Sequence, residues 1–262
     1  MNDQDFMNRA FNLSLKGAGQ VSPNPMVGAV IVKNGRIISE GYHALYGGDH
    51  AELDAIKKAT ESLEGATLYC TLEPCCHTNK QTPPCAQRIV KEKFKKVVIA
   101  NLDPNPHVNG GGVEILKAAG IEVESGLLAD LGERVNEAFF TTQRYKRPYI
   151  HLKLATTLDG KMSLLSGESK WITSESSRQY VQELRSQHAA ILVGAETARV
   201  DNPKLTVRLD SFQGKQPWRL VLTKSGNLPP SLDLFCDEHK DRTLVLTQAK
   251  ISFLSDERQI IF

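Results

Sequence analysis

Residues 67–86 read T-L-Y-C-T-L-E-P-C-C-H-T-N-K-Q-T-P-P-C-A, and the tripeptide His50-Ala51-Glu52 lies upstream of them. Zinc binds neutral imidazole nitrogen and thiolate sulfur in tetrahedral geometry, and a catalytic zinc site leaves its fourth position to water. His50, Cys75 and Cys85 supply three such ligands with no obvious fourth. The stretch therefore predicts a catalytic zinc centre, with Cys75 after a strand and Cys85 at the start of a helix.

Glu52 follows the first candidate ligand by two residues, and H-x-E followed by P-C is the established signature of zinc-dependent nucleobase deaminases. Zinc lowers the pKa of its bound water towards roughly 7. A nearby carboxylate can then take the proton of that water and deliver it to a leaving amine. Glu52 is therefore the candidate catalytic residue for hydrolytic deamination.

Two other interpretations of these residues stay open. His50 and Glu52 can be ordinary first-turn residues of a helix, where an acidic side chain suits the helix dipole. A structural zinc site would need a fourth protein ligand, which Cys76 or His77 can supply in principle. Because both directly follow Cys75 in sequence, shared tetrahedral ligation would be strained.

The composition narrows the class of protein and its partners. The chain has 262 residues, 40% hydrophobic and 24% charged, which fits two globular domains. A net charge of +2 gives no general attraction to nucleic acid, and the Lys91–Lys96 cluster is typical of a solvated helix end. No apolar run reaches the roughly 20 residues that span a bilayer. We therefore expect a small-molecule substrate, with no nucleic-acid or membrane partner.

The cysteines indicate the compartment. Four of the five cysteines fall within Cys70–Cys85, and clustering of this kind favours metal binding over disulfides. The N-terminal residues Met1–Arg9 contain acids and lack the apolar core of a signal peptide. We therefore expect a cytoplasmic protein.

Helices and strands alternate in the first part of the chain, which predicts a three-layer α/β domain. Val27–Tyr42 is predicted to be a β-hairpin turning at Asn34-Gly35, the strongest short turn signal. The other predicted elements are helices at 5–19, 50–62, 85–94 and 113–119 and strands at 66–72 and 95–101.

A domain boundary is predicted near Tyr145–Pro148, where a basic segment joins a helical stretch to a new strand. This gives domains at 1–146 and 147–262, and the second is again α/β. Its predicted elements are a helix at 174–187 and strands at 150–155, 190–194, 219–222, 243–246 and 259–262.

Six short segments in the first part of the chain carry a family resemblance: S-P-N-P-M-V-G (22–28), G-Y-H (41–43), G-G-D-H-A-E (47–52), L-E-P-C (72–75), T-P-P-C (82–85) and D-P-N-P (103–106). With these segments, residues 1 to about 145 resemble the deaminase domain of the bifunctional riboflavin-biosynthesis deaminase-reductase family. The resemblance implies a cytidine-deaminase-like fold and a pyrimidine ribosylamine 5′-phosphate as substrate, namely 2,5-diamino-6-(5-phosphoribosylamino)pyrimidin-4-one. It also implies that Asn24, His43 and Asn105 line the substrate pocket, where their groups can both donate and accept hydrogen bonds.

The loop between the two cysteines departs from the family pattern. The family loop reads H-x-G-K-T-P-P-C, whereas this chain has one residue more and no glycine between His77 and Cys85. Gln81 stands where the family has a substrate-binding lysine, and Lys80 is displaced by one position. Either the loop bulges so that Lys80 still reaches the substrate, or the contact is changed.

Residues 149–208 resemble the reductase half of the same family, whose domain is similar to dihydrofolate reductase. The matching segments are L-K-L-A-T-T-L-D-G-K (152–161), S-G-E-S-K-W-I-T (166–173), E-L-R (183–185), I-L-V-G-A-E-T (191–197) and D-N-P-K-L-T-V-R (201–208). The resemblance implies NADPH as a cofactor, bound at Ala155, Trp171, Thr197 and Asp201. The implied substrate contacts are Ser169, Arg185, Leu205 and Arg208, and Lys153 is a further candidate near the ribose. Two arginines and a serine suit a sugar phosphate, because guanidinium pairs with phosphate oxygens.

The family's reductase domain continues beyond the point that corresponds to Phe262, with a glycine-rich segment and an acidic substrate contact. We therefore expect an apparently truncated second domain that reduces its substrate poorly or not at all. The resemblance also implies a homo-oligomer, with a dimer favoured.

Three functions stand against one another. The first is zinc-dependent deamination in riboflavin biosynthesis, followed by NADPH reduction of the ribosyl group if the second domain is complete. The second is a zinc-dependent nucleoside or tRNA base deaminase with a non-catalytic C-terminal domain, which would share the zinc ligands. The third is a structural-zinc interaction module without chemistry.

Overall fold

The computed structural model describes residues 1–76, 84–105, 108–167, 171–210, 212 and 214–261. The chain divides into two units, Met1–His151 and Leu152–Phe262, so the division lies close to the boundary predicted at residue 146. In the described residues, no helix is long and apolar enough to cross a membrane.

The first unit contains a five-stranded sheet in the order β2-β1-β3-β4-β5. β1 pairs antiparallel with β2 and β3, whereas β3, β4 and β5 run parallel. The strands are β1 (Gly28–Lys33), β2 (Arg36–Tyr42), β3 (Thr67–Leu72), β4 (Lys96–Asn101) and β5 (Glu122–Ser125). The strand β5 was not predicted, since its E-V-E-S sequence is polar and mostly exposed.

The β-hairpin turns where the sequence predicted it. Asn34 and Gly35 both have positive φ angles, 51° and 74°, which is the conformation a two-residue turn of this type requires. Asparagine and glycine adopt it at low cost, and β1 and β2 pair on either side of them. The predicted hairpin is confirmed.

Helices cover both faces of this sheet and give the expected three layers. Alternate residues of β1 point to opposite faces: Ala29 and Ile31 belong to one apolar cluster, and Val30 and Val32 to the other. The helices of this unit are α1 (Asp3–Ser14), α2 (Ala51–Lys58), α3 (Cys85–Lys91), α4 (Gly111–Ala118), α5 (Ala129–Val135) and α6 (Glu137–Tyr145). α1 and α5 pack on one face, and α2, α3 and α4 on the other.

Several helix boundaries differ from the prediction, among them the start of α1 and both ends of α2. α1 begins earlier than expected because Asn2 and Asp5 form a capping box, each side chain accepting from the other residue's backbone N–H. α2 ends at Lys58, earlier than the predicted residue 62. His50 is the N-cap residue of α2 and not part of its first turn.

The second unit contains a parallel sheet in the order β6-β7-β8-β9. Its strands are β6 (Ala190–Gly194), β7 (Trp218–Thr223), β8 (Thr243–Thr247) and β9 (Gln259–Ile261), and its helices are α7 (Glu175–Gln187), α8 (Ala195–Asp201) and α9 (Asp233–Cys236). One face of the sheet is covered by an apolar cluster that includes Val221, Leu234 and Val245. The helix α8 was not predicted.

The strand predicted at residues 150–155 is wrong. These residues form no strand, and Ile150, Leu152 and Leu154 are exposed. A strand needs a neighbouring edge to satisfy its N–H and C=O groups. Within the described residues this segment pairs with neither sheet, so its alternating apolar pattern alone does not produce a strand.

Candidate metal centre and substrate pocket

Three ligand atoms converge between α2, the end of β3 and the start of α3. His50 Nδ1 lies 3.5 Å from Cys75 Sγ and 3.6 Å from Cys85 Sγ, and the three ligand atoms all lie within 4.8 Å of one another. The backbone N–H of Cys85 donates to Cys75 Sγ at 3.3 Å. Cys75 and Cys85 are buried, and His50 is half-buried. The three sequence-predicted ligands therefore lie together.

The spacing of these atoms fits a zinc ion. Bonds of about 2.3 Å to sulfur and about 2.1 Å to nitrogen at tetrahedral angles separate the two ligand atoms by roughly 3.6 Å. The observed nitrogen–sulfur distances of 3.5 and 3.6 Å match this value. Cys85 is also the first residue of α3, where the helix N-terminus favours a thiolate.

Cys76 does not join this group of ligand atoms. Its sulfur lies 3.9 Å from the carbonyl oxygen of Val108, outside the cluster formed by the three ligands. His77, the other possible fourth ligand considered, lies outside the described residues.

Glu52 lies on α2 two residues after His50, and its side chain is buried at 3% exposure. α2 approaches the sheet closely here, since a Cβ on Gly41 of β2 would overlap the backbone of Ala51 and Ala55. Glycine at position 41 therefore lets the helix that carries His50 and Glu52 lie directly against β2.

A cavity of about 340 Å³ opens onto this centre. Asn24, His43 and Asn105, the three predicted pocket residues, line it together with Glu52 and Cys75. Its other lining residues include apolar and aromatic groups such as Val27, Leu72, Tyr46, Val108 and Phe139. A cavity of this size with a few polar groups is typical of a small-molecule site.

His43 links the pocket to the loop before α2. Its Nδ1 lies 2.8 Å from the carbonyl oxygen of Asp49, so this nitrogen carries the hydrogen and donates it. Nε2 is then an acceptor for the Asn24 amide at 3.2 Å. Burial lowers the pKa of His43 below its ordinary value, against the opposing effect of the bond to Asp49. A neutral imidazole thus orients the Asn24 side chain.

Sequence reasoning missed two buried side chains that hold the pocket walls, Glu73 and Asn136. Glu73 accepts hydrogen bonds from the backbone of the segment that follows β4, and Asn136 binds the backbone of Met26. The L-E-P-C segment could have indicated a structural role for Glu73, because a charged side chain at the end of a buried strand needs hydrogen-bond partners. Its partners lie 30 to 40 positions away and are set by the fold.

Part of the predicted reductase site lies together in the second unit. Arg185 of α7 donates to the carbonyl oxygen of Thr206 at 3.1 Å, and Gln182 of the same helix accepts from the backbone N–H of Arg208 at 3.0 Å. Burial lowers the pKa of Arg185, and the charge of nearby Arg208 lowers it further. Arg185, Leu205 and Arg208 therefore lie around one segment, with Leu205 buried and Arg208 exposed.

The predicted NADPH contacts are more scattered. Thr197 and Asp201 lie on α8, directly after β6, and Trp171 is exposed with the Arg178 guanidinium 4.4 Å from its ring centroid. Lys153 is exposed and Ala155 half-buried in the segment that forms no strand. Lys80, Gln81 and Ser169 lie outside the described residues.

Each of the two units matches a known protein family. Residues 1–101 match the family model of the cytidine and deoxycytidylate deaminase zinc-binding region, and residues 148–257 match the RibD C-terminal domain. The riboflavin biosynthesis protein RibD of Aquifex aeolicus is 46% identical over 94% of this chain and 68% of its own length. The chain belongs to the RibD family. RibD of Actinobacillus pleuropneumoniae is 47% identical over 94% of this chain and 65% of its own.

Solved RibD structures have the same fold. Acinetobacter baumannii RibD superimposes with a TM-score of 0.91 at 41% identity, covering 99% of this chain and 74% of that one. The Thermotoga maritima diaminohydroxyphosphoribosylaminopyrimidine deaminase/5-amino-6-(5-phosphoribosylamino)uracil reductase gives 0.89 at 44% identity, with 98% and 72% coverage. The expected fold class, a cytidine-deaminase-like domain followed by a reductase-type α/β domain, is confirmed. The chain spans about two thirds of the length of the curated relatives.

Proposed function

We propose that this chain catalyses a zinc-dependent deamination in riboflavin biosynthesis. The substrate is 2,5-diamino-6-(5-phosphoribosylamino)pyrimidin-4-one: water adds at the ring carbon that carries the 2-amino group, ammonia leaves, and a carbonyl remains. The observation that carries this proposal is the convergence of His50, Cys75 and Cys85 at a cavity lined by Glu52. Membership of the RibD family supports the choice of substrate.

His50, Cys75 and Cys85 would hold the zinc ion. When bound, zinc supplies Lewis-acid activation of water near neutral pH. Glu52 would take a proton from the attacking water and deliver it to the departing amino group. Its burial in the lining of the cavity restricts its side-chain motion.

Asn24, His43 and Asn105 recognise the pyrimidine. The His43–Asn24 hydrogen bond uses one N–H of the Asn24 amide, so its Oδ1 serves as an acceptor for ring N–H or amino groups. Lys80 is proposed to contact the substrate from the loop between Cys75 and Cys85.

A second activity, NADPH-dependent reduction of the ribosyl group to ribityl in the second unit, is proposed on the condition that the reductase domain is complete. The pair Arg185 and Arg208 supports a phosphate site, because two guanidinium groups lie around one segment. Ser169, Leu205 and Lys153 complete the proposed substrate set, and Ala155, Trp171, Thr197 and Asp201 the NADPH set. The assay is NADPH oxidation with the deaminated product as substrate.

We also propose a cytoplasmic location, supported by the clustering of four cysteines within Cys70–Cys85, and a homodimer, supported by the family resemblance. Light scattering of the purified chain tests the second point.

The decisive experiment for the deaminase combines zinc analysis with ammonia release. The purified chain should contain one zinc ion per molecule and release ammonia from the diaminopyrimidine ribosylamino phosphate, but not from cytidine or an adenosine-containing RNA. Ammonia release from cytidine or RNA alone would instead support the nucleoside or tRNA deaminase, which no observation favours at present. Bound zinc without ammonia release from any of the three would contradict both.

A further inference from the structure

A second buried carboxylate lies beside the proposed zinc site. Glu73 is 4% exposed, follows β3 directly and lines the same cavity as Glu52. Four backbone N–H groups donate to it. Oε2 accepts from Asp103 at 3.2 Å and Gly110 at 3.0 Å, and Oε1 from Gly112 at 3.0 Å and Val113 at 3.2 Å. Each carboxylate oxygen therefore holds two donors.

Three of these donors belong to the N-terminus of α4, which has no cap of its own. Its N-cap residue, Gly110, has a φ of 84° and no side chain to accept a hydrogen bond. The first N–H groups of a helix need acceptors from outside the helix, and the helix dipole favours a negative charge there. Glu73 fills this role from a position 37 residues earlier in sequence.

The fourth donor connects the same carboxylate to the pocket wall. The backbone N–H of Asp103 donates to Glu73. The Asp103 side chain in turn accepts a hydrogen bond from the backbone N–H of Asn105, at 2.8 Å. The carbonyl oxygen of Asn105 in turn accepts from the backbone N–H of Val108 at 2.8 Å. Glu73 thus binds both ends of the segment that carries Asn105 and Val108, two residues that line the cavity.

The N-terminus of α4 also packs directly on the turn Glu73–Cys75, which carries the proposed zinc ligand Cys75. A Cβ on Gly112 would overlap the carbonyl oxygen of Pro74, the residue between Glu73 and Cys75. The N-terminus of α4 and the Glu73–Cys75 turn are consequently in backbone contact. If the N-terminus of α4 moves relative to the Glu73–Cys75 turn, the distance between the metal centre and Asn105 changes.

We propose that Glu73 is a positioning residue for the deamination. Its carboxylate fixes the part of the cavity wall formed by Asn105 and Val108 relative to the zinc ligand Cys75. The proposal deepens the proposed deaminase function and rests on it. Both Glu73 oxygens are engaged by backbone donors, so this carboxylate acts through Asn105, and proton transfer belongs to Glu52.

The first test is the variant Glu73→Gln, which places an amide NH₂ against two N–H donors and so breaks half of the interaction. Glu64→Gln is the matched control, because Glu64 has a side-chain exposure of 66% at the surface. We expect Glu73→Gln to keep its zinc while its KM rises by about tenfold to a hundredfold, more than its kcat falls. Glu73→Asp keeps the charge with a shorter reach and should give an intermediate KM; it replaces Glu73→Gln if that variant does not fold.

A double-mutant cycle with Asn105→Ala separates positioning from general stability. If Glu73 acts through Asn105, adding Asn105→Ala to Glu73→Gln raises KM by no more than about twofold. Independent, multiplying effects on KM would overturn the proposal, as would a KM for Glu73→Gln equal to that of Glu64→Gln.

Hydrogen exchange provides a readout that does not depend on activity. The amides of Asp103, Gly110, Gly112 and Val113 should exchange about tenfold faster in Glu73→Gln, while those of β3 keep their rates. Unchanged exchange at these four amides would overturn the proposal. Absence of ammonia release by the unmodified chain would instead show that the proposed deaminase function has failed.

Discussion

The side chain of Asn136 clamps the backbone of Met26. Asn136 Oδ1 accepts the Met26 N–H and Asn136 Nδ2 donates to the Met26 carbonyl, both at 2.8 Å. Asn136 is buried immediately before α6, and Met26 follows Asn24 by two residues in the S-P-N-P-M-V-G segment. A residue 110 positions away therefore holds the segment that brings Asn24 to the pocket.

Replacing Asn136 with alanine should loosen this segment. Two backbone groups of the half-buried Met26 would lose their partners, so we expect the free energy of unfolding to fall by about 1–3 kcal/mol. Because Asn24 is carried by the same segment, KM should rise as well. Denaturant unfolding and ammonia-release kinetics measure both effects, with Asn8→Ala on the exposed side of α1 as control. Unchanged stability in Asn136→Ala would contradict the clamp.

Glu52→Gln tests the proton-transfer residue with little change of shape. The amide cannot accept the proton from water, so kcat should fall by about 10²–10⁴-fold while zinc content and folding stay unchanged. Glu64→Gln, at the surface of the same unit, should retain full activity. A Glu52→Gln variant that deaminates at the unmodified rate would remove Glu52 from the mechanism.

The cysteines offer an internal comparison for the metal. Cys75→Ser and Cys85→Ser each remove a thiolate from the three-ligand group, so both variants should lose zinc and activity. Cys76→Ser should keep its zinc, because the Cys76 sulfur lies toward the Val108 carbonyl and outside the group. Cys236→Ser, at an exposed position in the second unit, is the control. Metal analysis of the four purified variants decides whether Cys76 is a fourth protein ligand.

A buried ion pair sets the acid stability of the second unit. Arg219 is 1% exposed and donates to both oxygens of Asp237, at 2.6 and 2.9 Å. Burial by itself raises the pKa of Asp237, but the hydrogen bonds and charge of Arg219 outweigh this effect and hold the pKa below its ordinary value. The stability this pair gives is therefore present above the unfolded pKa of about 4 and is lost as pH falls through the lower, folded pKa.

The variant Asp237→Asn leaves the Arg219 charge buried without its counter-charge. We expect a loss of about 3–5 kcal/mol at neutral pH, since breaking a buried pair from one side is strongly destabilising. The difference from the unmodified chain should shrink as pH falls well below 4, because Asp237 then also becomes neutral. Unfolding curves at pH 7 and pH 3 measure this, with the exposed Asp241→Asn as control. A difference that does not depend on pH would contradict the assigned ion pair.

The sequence located the centre of the site because its signals are short. Asn34-Gly35 gave the hairpin, and the H-x-E tripeptide with two proline-preceded cysteines gave the candidate ligands, which the structure brings within 4.8 Å of one another. Such patterns follow from local turn chemistry and from ligand type, which a sequence displays directly. The strand predicted at 150–155 was wrong because strand formation also needs a partner edge, which alternation of apolar residues does not reveal.

By itself the sequence determined which reactive groups are present: one imidazole and two thiols for a metal, and one carboxylate two residues after the imidazole. It also indicated two α/β units. Only the tertiary structure decided what surrounds that chemistry. Glu73 and Asn136 hold the pocket walls through backbone groups 30 to 40 and 110 positions distant. The sequence does not show which backbone N–H will be a partner, since nearly every residue has one. Which of them meets a given carboxylate or amide depends on how the sheet and its helices pack.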